Sequence, residues 1–262
     1  MSKMSPNTRR IGKAGTPEPV VPPPDARFFS FAEERWLPEL PAPAAALREP
    51  DGLLAAGGAL DTPTLLAAYA RGIFPWYSRG QPILWWSPDP RTVFLPASFH
   101  VSRSLARTLR RGEFELTLDR DFVGVMRACG PERRGESSTW ITPAMLQAYT
   151  RLHAEGHAHS VECWRAGELV GGVYGVAIGQ VFFGESMFSR ATDASKVALA
   201  TLCHALRGWG YELVDCQMAS AHLSSLGAVS LPRPQFCELL AALIPESPSA
   251  TAWLTLAESP TR

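Results

Sequence analysis

The sequence predicts an α/β (α+β) protein, in which a small N-terminal domain precedes a C-terminal domain built on a mixed sheet. Three segments rich in β-branched and aromatic residues follow one another at 159–165, 168–179 and 180–188. A helical pattern at 194–209 then leads into a further strand at 211–217. Strands that are interrupted by a helix and then resume indicate a central mixed sheet.

The order of these elements, β–β–β–α–β–α, resembles that of the acyl-CoA N-acyltransferase superfamily, although a shared fold implies no particular chemistry. The earlier part of the chain is punctuated by Pro and Gly and predicts loops and short strands. Its first residues are rich in Pro, Gly, Ser and basic residues, which is typical of disorder. We therefore expect a disordered tail over 1–26, the small N-terminal domain over 27–90 and the acyltransferase-like domain over 91–250.

Capping residues and apolar spacing predict the other helices. Ser102 and Thr142 stand before helical patterns, and each side chain can accept a hydrogen bond from a first-turn amide. Pro63 and Pro143 suit the first turn of a helix. The predicted helices cover residues 63–72, 102–111, 120–128, 142–156, 222–226 and 234–244.

Composition limits the class of protein. Hydrophobic residues make up 46% of the chain and charged residues 19%, which indicates a folded protein. The 25 Lys and Arg residues balance 25 Asp and Glu residues, so a nucleic-acid partner would need a local basic patch. The five cysteines form no CxxC pair, and no window approaches the roughly 20 apolar residues that cross a bilayer. We therefore expect reduced thiols in a soluble, cytoplasmic protein with no membrane partner.

The run FPWYSRGQPILWWSPDPR (Phe74–Arg91) contains the most unusual cluster of aromatic residues. Four of its large aromatic side chains lie within eleven residues, and four prolines stiffen the run. Such a cluster could pack at a domain interface. It could also form a platform on which bases stack, an interaction worth roughly 1–3 kcal/mol per base. Composition alone does not choose between these alternatives.

Three polar residues on predicted strands are candidate catalytic groups. Glu185 alternates with apolar neighbours, so it is either a core carboxylate bound to amides or an Arg, or a group that orients an amine or a cationic side chain. Asp215 and Gln217 share one face of a strand near its end, where open α/β sheets commonly bind ligands. That pair could accept hydrogen bonds from an ammonium group and help to remove its proton.

Further unusual segments accompany these motifs in a fixed order. They are LREPDGLLAAGG (47–58), AYARGIFPW (68–76), TWITPAMLQAY (139–149), RLHAEGHAHSVECW (151–164), DASKVAL (193–199) and HLSSLGA (222–228). Over about residues 47–244 the sequence resembles the leucyl/phenylalanyl-tRNA–protein transferase family. The resemblance implies transfer of Leu, Phe and less readily Met from aminoacyl-tRNA to an N-terminal Arg or Lys, which marks the acceptor protein for degradation. It implies no metal and no soluble cofactor, and we expect a monomer.

The resemblance also implies roles for matching positions. Trp76 and Trp140, with Tyr69 and Tyr149 nearby, would hold the 3′-terminal adenosine of the tRNA. An apolar pocket for the Leu or Phe side chain would be lined by Val173, Leu199, Leu202, Leu206 and Val214. Three of these leucines recur at i, i+3 and i+7 on one helix face, a pattern that fits a pocket and an ordinary core equally well.

The implied reaction suggests how the polar residues act. The donor ester is already activated, so the enzyme has to hold ester and amine together and leave the amine unprotonated. Our hypothesis is that the Gln217 carboxamide oxygen accepts from the attacking amine while Asp215 orients or polarises that group. Glu185 would stabilise the cationic end of the acceptor or hold Gln217.

One predicted helix has a basic face, formed by Arg103, Arg107, Arg110 and Arg111 at i, i+4, i+7 and i+8. Arg133 and Arg134 add to this charge. In isolation the pattern favours a solvated face, but beside the family resemblance it favours contacts with tRNA phosphates.

Three other functions fit the sequence less well. An acyl-CoA-dependent enzyme needs a glycine-rich turn at a helix N-terminus, and the connection FSRATDASK lacks one. A non-enzymatic module could read RNA or peptide ends through the aromatic residues alone. A metal hydrolase is suggested only by His153, His157 and His159, whose spacing lacks the HExxH pattern.

Overall fold

The computed structural model describes residues 40–130 and 140–254. The predicted tail over 1–26 and the arginines Arg133 and Arg134 lie outside these residues. In chain order the strands are β1 (Leu53–Ala56), β2 (Phe74–Pro75), β3 (Leu84–Trp86), β4 (Arg91–Phe94), β5 (Glu115–Leu118), β6 (Ala158–Arg165), β7 (Glu168–Ile178), β8 (Val181–Ser189), β9 (Leu213–Asp215) and β10 (Val229–Leu231). The α-helices are α1 (Thr62–Ala70), α2 (Arg103–Arg111), α3 (Phe122–Cys129), α4 (Pro143–Ala154), α5 (Ala194–Gly208), α6 (Ala221–Ser225) and α7 (Arg233–Leu243).

Side-chain caps begin several helices where the sequence predicts them. The Ser102 hydroxyl accepts from the Leu105 amide and the Thr142 hydroxyl from the Met145 amide, both at 3.2 Å. The predicted start at residue 120 is wrong by two residues, because Asp121 is the cap and α3 begins after it. The predicted helices are otherwise confirmed within a few residues.

The strands form two sheets. A three-stranded sheet has the order β1-β3-β2, and a seven-stranded sheet has the order β10-β4-β9-β8-β7-β6-β5. In the larger sheet β8 and β9 are parallel, while the other neighbours are antiparallel. Helix α5 makes the crossover that two parallel neighbours require. The predicted mixed sheet is therefore confirmed.

The seven-stranded sheet has a hydrophobic layer on each face. Neighbouring side chains on a strand point to opposite faces, so Phe182 packs with α5 while Phe183 packs with α3 and α4. The layer on the α3 and α4 side continues into the three-stranded sheet, where Leu53 and Trp85 belong to the same cluster. The small sheet is thus fixed against one face of the large one. The predicted division near residue 90 falls between β3 and β4, the first of which belongs to the small sheet and the second to the large one.

The aromatic run divides its rings between the core and a cleft. Trp85 is 1% exposed and Trp86 6%, and their indole nitrogens donate to the carbonyls of Gly57 (2.9 Å) and Trp76 (2.6 Å). Packing at an interface therefore accounts for these two rings. Trp76 is only partly buried and packs edge-on against Trp86, with ring centroids 5.6 Å apart.

In the described part of the chain, no helix is long and apolar enough to cross a membrane. The five cysteines form no disulfide there, and Cys163 and Cys203 are buried.

Candidate active site

The candidate site lies where two parallel strands stop pairing. Strands β8 and β9 pair from Val181 and Leu213 as far as Phe183 and Asp215. Beyond that point β8 continues to Ser189, whereas β9 ends. The sequence predicted a strand through residue 217, and this was wrong because Gln217 adopts a left-handed backbone with φ 56°. The separated strands leave room for two cavities.

The first cavity, here called the apolar cavity, has a volume of about 230 Å³. Its lining consists of Phe94, Val173, Phe182, Gly184, Glu185, Ser186, Met187, Leu199, Leu202, Val214, Cys216, Gln217 and Leu223. Four of the five residues assigned to an apolar pocket from the sequence are in this lining. The fifth, Leu206, also lies on α5, but its side chain is fully buried in the core between α5 and the sheet.

The second cavity, here called the aromatic cleft, has a volume of about 360 Å³. It is lined by Phe74, Pro75, Trp76, Trp140, Glu185, Cys216, Gln217, Met218, Ala219 and Ser220. Both tryptophans assigned to adenosine binding are therefore in its wall. Tyr69 and Tyr149 are fully buried and are not part of this lining, so neither ring presents a face to a ligand in the cleft.

Glu185, Cys216 and Gln217 line both cavities, and we call these three residues the junction. Continued strand alternation would put Cys216 on the opposite strand face from Gln217. Strand alternation ends at Asp215, however, so both side chains reach the same place. A ligand with one apolar part and one planar part could place its connecting atoms at the junction.

The Asp215 carboxylate is fully buried and accepts four hydrogen bonds. The Arg91 guanidinium donates through Nε to Oδ1 at 2.8 Å and through Nη2 to Oδ2 at 2.7 Å. The backbone amide of Gln217 donates to Oδ1 at 3.0 Å, and its side-chain Nε2 donates to Oδ2 at 3.2 Å. Because the side-chain Nε2 of Gln217 donates to Asp215, the carboxamide oxygen of Gln217 remains available as an acceptor at the junction.

Sequence reasoning missed Arg91, which pairs with Asp215 beside the site. Its Nη1 donates to the Gly72 carbonyl at 3.0 Å, and its guanidinium lies over the rings of Phe74 and Phe236 at 4.9 and 4.7 Å. A signal was present, since an arginine in the apolar strand RTVF needs a buried carboxylate, and the strand LVD supplies one. Pairing the two strands from sequence would have been needed to use that signal.

Glu185 is held by two phenols. The Tyr69 hydroxyl donates to Oε1 at 2.6 Å and the Tyr149 hydroxyl to Oε2 at 3.2 Å. The two hydroxyls also form a hydrogen bond with each other. Burial raises the pKa of Glu185 to about 7, although both phenol hydrogen bonds act in the opposite direction. This carboxyl can therefore change protonation near neutral pH.

The basic face of α2 lies on the same side of the large sheet as the apolar cavity. Leu105 anchors α2 in the cluster that contains α5, while the four arginines are exposed. Of these, Arg111 lies 3.6 Å from Glu113. The predicted basic face is thus solvent-accessible.

Two of the three histidines considered as metal ligands, His153 and His159, have local partners instead. His153 Nδ1 contacts the Ala158 carbonyl at 2.8 Å, and His159 Nδ1 contacts Asp119 at 2.6 Å. Within residues 40–130 and 140–254, no group of three or more His, Cys, Asp or Glu residues is arranged to hold a metal ion.

The fold and site define an α/β protein whose mixed sheet holds a two-chamber ligand site with a polar junction. The chain belongs to the leucyl/phenylalanyl-tRNA protein transferase family: residues 93–241 match that family's model, and residues 58–89 match the model of its N-terminal domain. The transferase of that name from Stutzerimonas stutzeri is 58% identical over 208 residues, covering 79% of this chain and 92% of the relative. The one from Aromatoleum aromaticum is 56% identical over 221 residues, covering 83% of this chain and 93% of the relative.

Two solved structures show a distant likeness to this chain. L-PGS from Bacillus licheniformis has a TM-score of 0.38 and 11% identity, with 64% of this chain and 54% of that chain covered. A GCN5-related N-acetyltransferase from Kribbella flavida has a TM-score of 0.32 and 11% identity, with 64% and 59% covered. Likeness at this level carries no argument about activity.

Proposed function

We propose that this protein transfers Leu, Phe or Met from aminoacyl-tRNA to the N-terminal Arg or Lys of acceptor proteins, which marks those proteins for degradation. The names of the relatives support transfer between a charged tRNA and a protein. The observation that carries the proposal is the junction, because Glu185, Cys216 and Gln217 line the apolar cavity and the aromatic cleft at once. An aminoacyl-adenosine end has the same order of parts: an apolar side chain, an ester and a planar base.

The proposal assigns one part of the donor to each chamber. The amino-acid side chain enters the apolar cavity between Leu199 and Leu202, and the terminal adenosine lies in the cleft against Trp76 and Trp140. An apolar wall separates ligands by roughly 1–3 kcal/mol per methylene, so overlap among Leu, Phe and Met is expected. A charged side chain is excluded far more strongly, because it would lose its hydration without gaining a partner.

The ester then lies at the junction, where the polar residues act on the acceptor amine. The amine nitrogen attacks the ester carbonyl carbon, the new C–N bond forms, and the C–O bond to the ribose breaks. One proton leaves the amine and one is gained by the released ribose oxygen. The Gln217 carboxamide oxygen accepts a hydrogen bond from the amine and directs its lone pair at the carbon. No hydrogen bond joins Glu185 to Gln217 in the described residues, which favours contact of Glu185 with the cationic end of the acceptor over the role of holding Gln217.

The arginines on α2 are proposed to bind tRNA phosphates. Replacing Arg103 and Arg107 with Glu should weaken tRNA binding and flatten its salt dependence, by about 0.7–0.9 in slope for each lost phosphate contact. The control is Arg151→Glu, at an exposed position of α4 on the other side of the sheet. An unchanged slope in the α2 variant would remove this part of the proposal.

A transfer assay tests the function as a whole. The full chain is mixed with tRNA carrying radiolabelled Leu and with peptides that differ only in their first residue: Arg, Lys or Ala. We expect label on the Arg and Lys peptides and none on the Ala peptide. Bound but untransferred label would indicate a binding module, and transfer from leucyl-CoA without RNA would indicate an acyl-CoA enzyme.

Variants of the junction test the assigned chemistry within that assay. Gln217→Ala should slow transfer, whereas Gln235→Ala, at an exposed position of α7, should not. Wild-type rates in correctly folded Gln217→Ala and Asp215→Ala variants would rule out the assigned roles.

A further inference from the structure

We propose that Arg91 is a positioning residue for the transfer reaction, which fixes Asp215 and thereby aims the Gln217 carboxamide oxygen at the junction. This inference rests on the proposed function. Arg91 does not line either cavity, and it would act only through the residues that it holds.

The first support is that the donors around Asp215 use its whole acceptor capacity. A carboxylate offers about four lone-pair sites, and Asp215 receives four donors, two from Arg91 and two from Gln217. No site is left for a substrate amine. Asp215 therefore acts on the substrate through Gln217, and the direction of the Gln217 amide depends on where Arg91 holds Asp215.

The second support is the backbone beside the junction. The left-handed conformation of Gln217 is uncommon for a residue with a side chain, and its surroundings must maintain it. The amide of Thr92 donates to the Gln217 carbonyl at 3.1 Å, and the amide of Cys216 donates to the Thr92 carbonyl at 2.8 Å. Strand β4 thus holds the backbone of residues 216–217 while Arg91, at the start of the same strand, holds the side chain of Gln217 through Asp215.

The third support is that the Arg91 guanidinium also packs against a wall of the aromatic cleft. Phe74, a wall of the cleft, stacks on Arg91, and Phe236 from α7 stacks on it as well. The Gly72 carbonyl accepts a third hydrogen bond, from Nη1 of Arg91. Position 72 favours glycine, since its φ is +77° and a Cβ would lie 2.9 Å from the Phe236 ring. One planar group therefore ties the polar junction to the cleft wall. A lysine has a compact ammonium and cannot make the paired and stacked contacts together.

The Arg91→Lys variant tests this proposal. We expect the transfer kcat to fall by about 10- to 100-fold, as for the loss of one charge-assisted orienting contact, with the Kd for aminoacyl-tRNA changed less than about threefold. The control is Arg120→Lys, because Arg120 also pairs with a carboxylate, Glu115 at 2.6 Å, and stacks on Trp164 but lines neither cavity. An unchanged kcat in Arg91→Lys would overturn the proposal. So would a weakened Kd with kcat preserved, which would limit Arg91 to supporting the cleft.

A second variant covers the case in which Arg91→Lys does not fold. Arg91→Met/Asp215→Asn replaces the buried ion pair with neutral groups of similar size, so no unpaired charge remains in the core. We expect it to fold, as checked by circular dichroism, to bind aminoacyl-tRNA, and to transfer about 10- to 100-fold more slowly. Transfer at the wild-type rate would overturn the proposal. Absence of transfer by the wild-type protein is a different result, since it would refute the proposed function itself.

Discussion

Two carboxyl groups on neighbouring parallel strands meet the cost of desolvation in opposite ways, and of these Asp215 is fully buried whereas Glu185 is partly buried. Asp215 at the end of β9 is paired with a guanidinium and has four donors. Glu185 on β8 has only two phenols, and burial raises its pKa to about 7. The partner therefore helps to decide whether such a carboxyl is held in an ion pair or exchanges a proton.

Two opposing influences set the pKa of Glu185. Both phenols donate to its oxygens, and these bonds stabilise the ionised carboxylate and act to lower the pKa. Burial acts more strongly in the other direction, because it penalises the charged form, so the pKa is raised to about 7.

The largest effect on stability is expected from removal of the Asp215 carboxylate. Asp215→Ala leaves the Arg91 charge buried and unpaired, so we expect the free energy of unfolding to fall by about 3–5 kcal/mol in urea denaturation. The Arg91→Met/Asp215→Asn variant should recover most of that loss. The contrast is Glu115→Ala, which breaks an exposed arginine pair and should cost less than about 1 kcal/mol. Equal losses in Asp215→Ala and Glu115→Ala would contradict the role given to the buried pair.

A smaller effect is expected from the pH dependence that Glu185 imposes on stability. Its pKa of about 7 in the folded protein lies above the ordinary value of 4.5. Between these values the folded protein holds a proton that the unfolded chain has released, so stability falls as the pH rises through this window. The difference sets an upper limit of about 3 kcal/mol. The Glu185→Gln variant should lack this fall.

Urea unfolding at about pH 5 and about pH 8 measures how the free energy of unfolding changes across this window. Stability of the wild type relative to Glu185→Gln should decrease between the two, because the comparison cancels the titration of all other groups. Glu168→Gln, at an exposed position of β7, serves as the control and should behave like the wild type. A relative stability that rises with pH would reverse the assignment of the two carboxyls.

Much of the fold follows from local signals in the sequence. The meander β6–β8, the crossover helix α5 and the capped helices have periodicity and end signals that act over a few residues. Strands β5 and β10 were not predicted because each is three or four residues long and lies at a sheet edge, mostly exposed or partly buried. Short edge strands carry little hydrophobic pattern, and their pairing with distant segments decides their structure.

The site was predictable in its residue types but not in its connections. Asp215, Gln217 and Glu185 could be singled out as polar groups near strand ends. The Arg91–Asp215 pair joins residues 124 positions apart, and the Tyr69–Glu185 bond joins residues 116 apart. The sheet order β4-β9 brings Arg91 and Asp215 together, whereas Tyr69 reaches Glu185 from helix α1. Tyr69 and Tyr149 were assigned to adenosine from the family resemblance. Their hydroxyl contacts with Glu185 could not be predicted, because they join segments that are distant in the sequence.

The smallest effect is expected from the loss of a single hydrogen bond to Glu185. Tyr69→Phe removes the 2.6 Å donor to Glu185 and leaves Tyr149 in place. The lost bond favoured the ionised carboxylate, so the pKa of Glu185 should rise further, by about 0.5–1 unit for a bond of ordinary strength. Carboxyl ¹³C NMR across a pH titration measures it. Tyr77→Phe is the matched control, because that hydroxyl bonds to Thr142 and does not touch Glu185. If the pKa of Glu185 fell in Tyr69→Phe, the phenol would be stabilising the neutral form, and the proton on this carboxyl would be held by the tyrosines and not by burial.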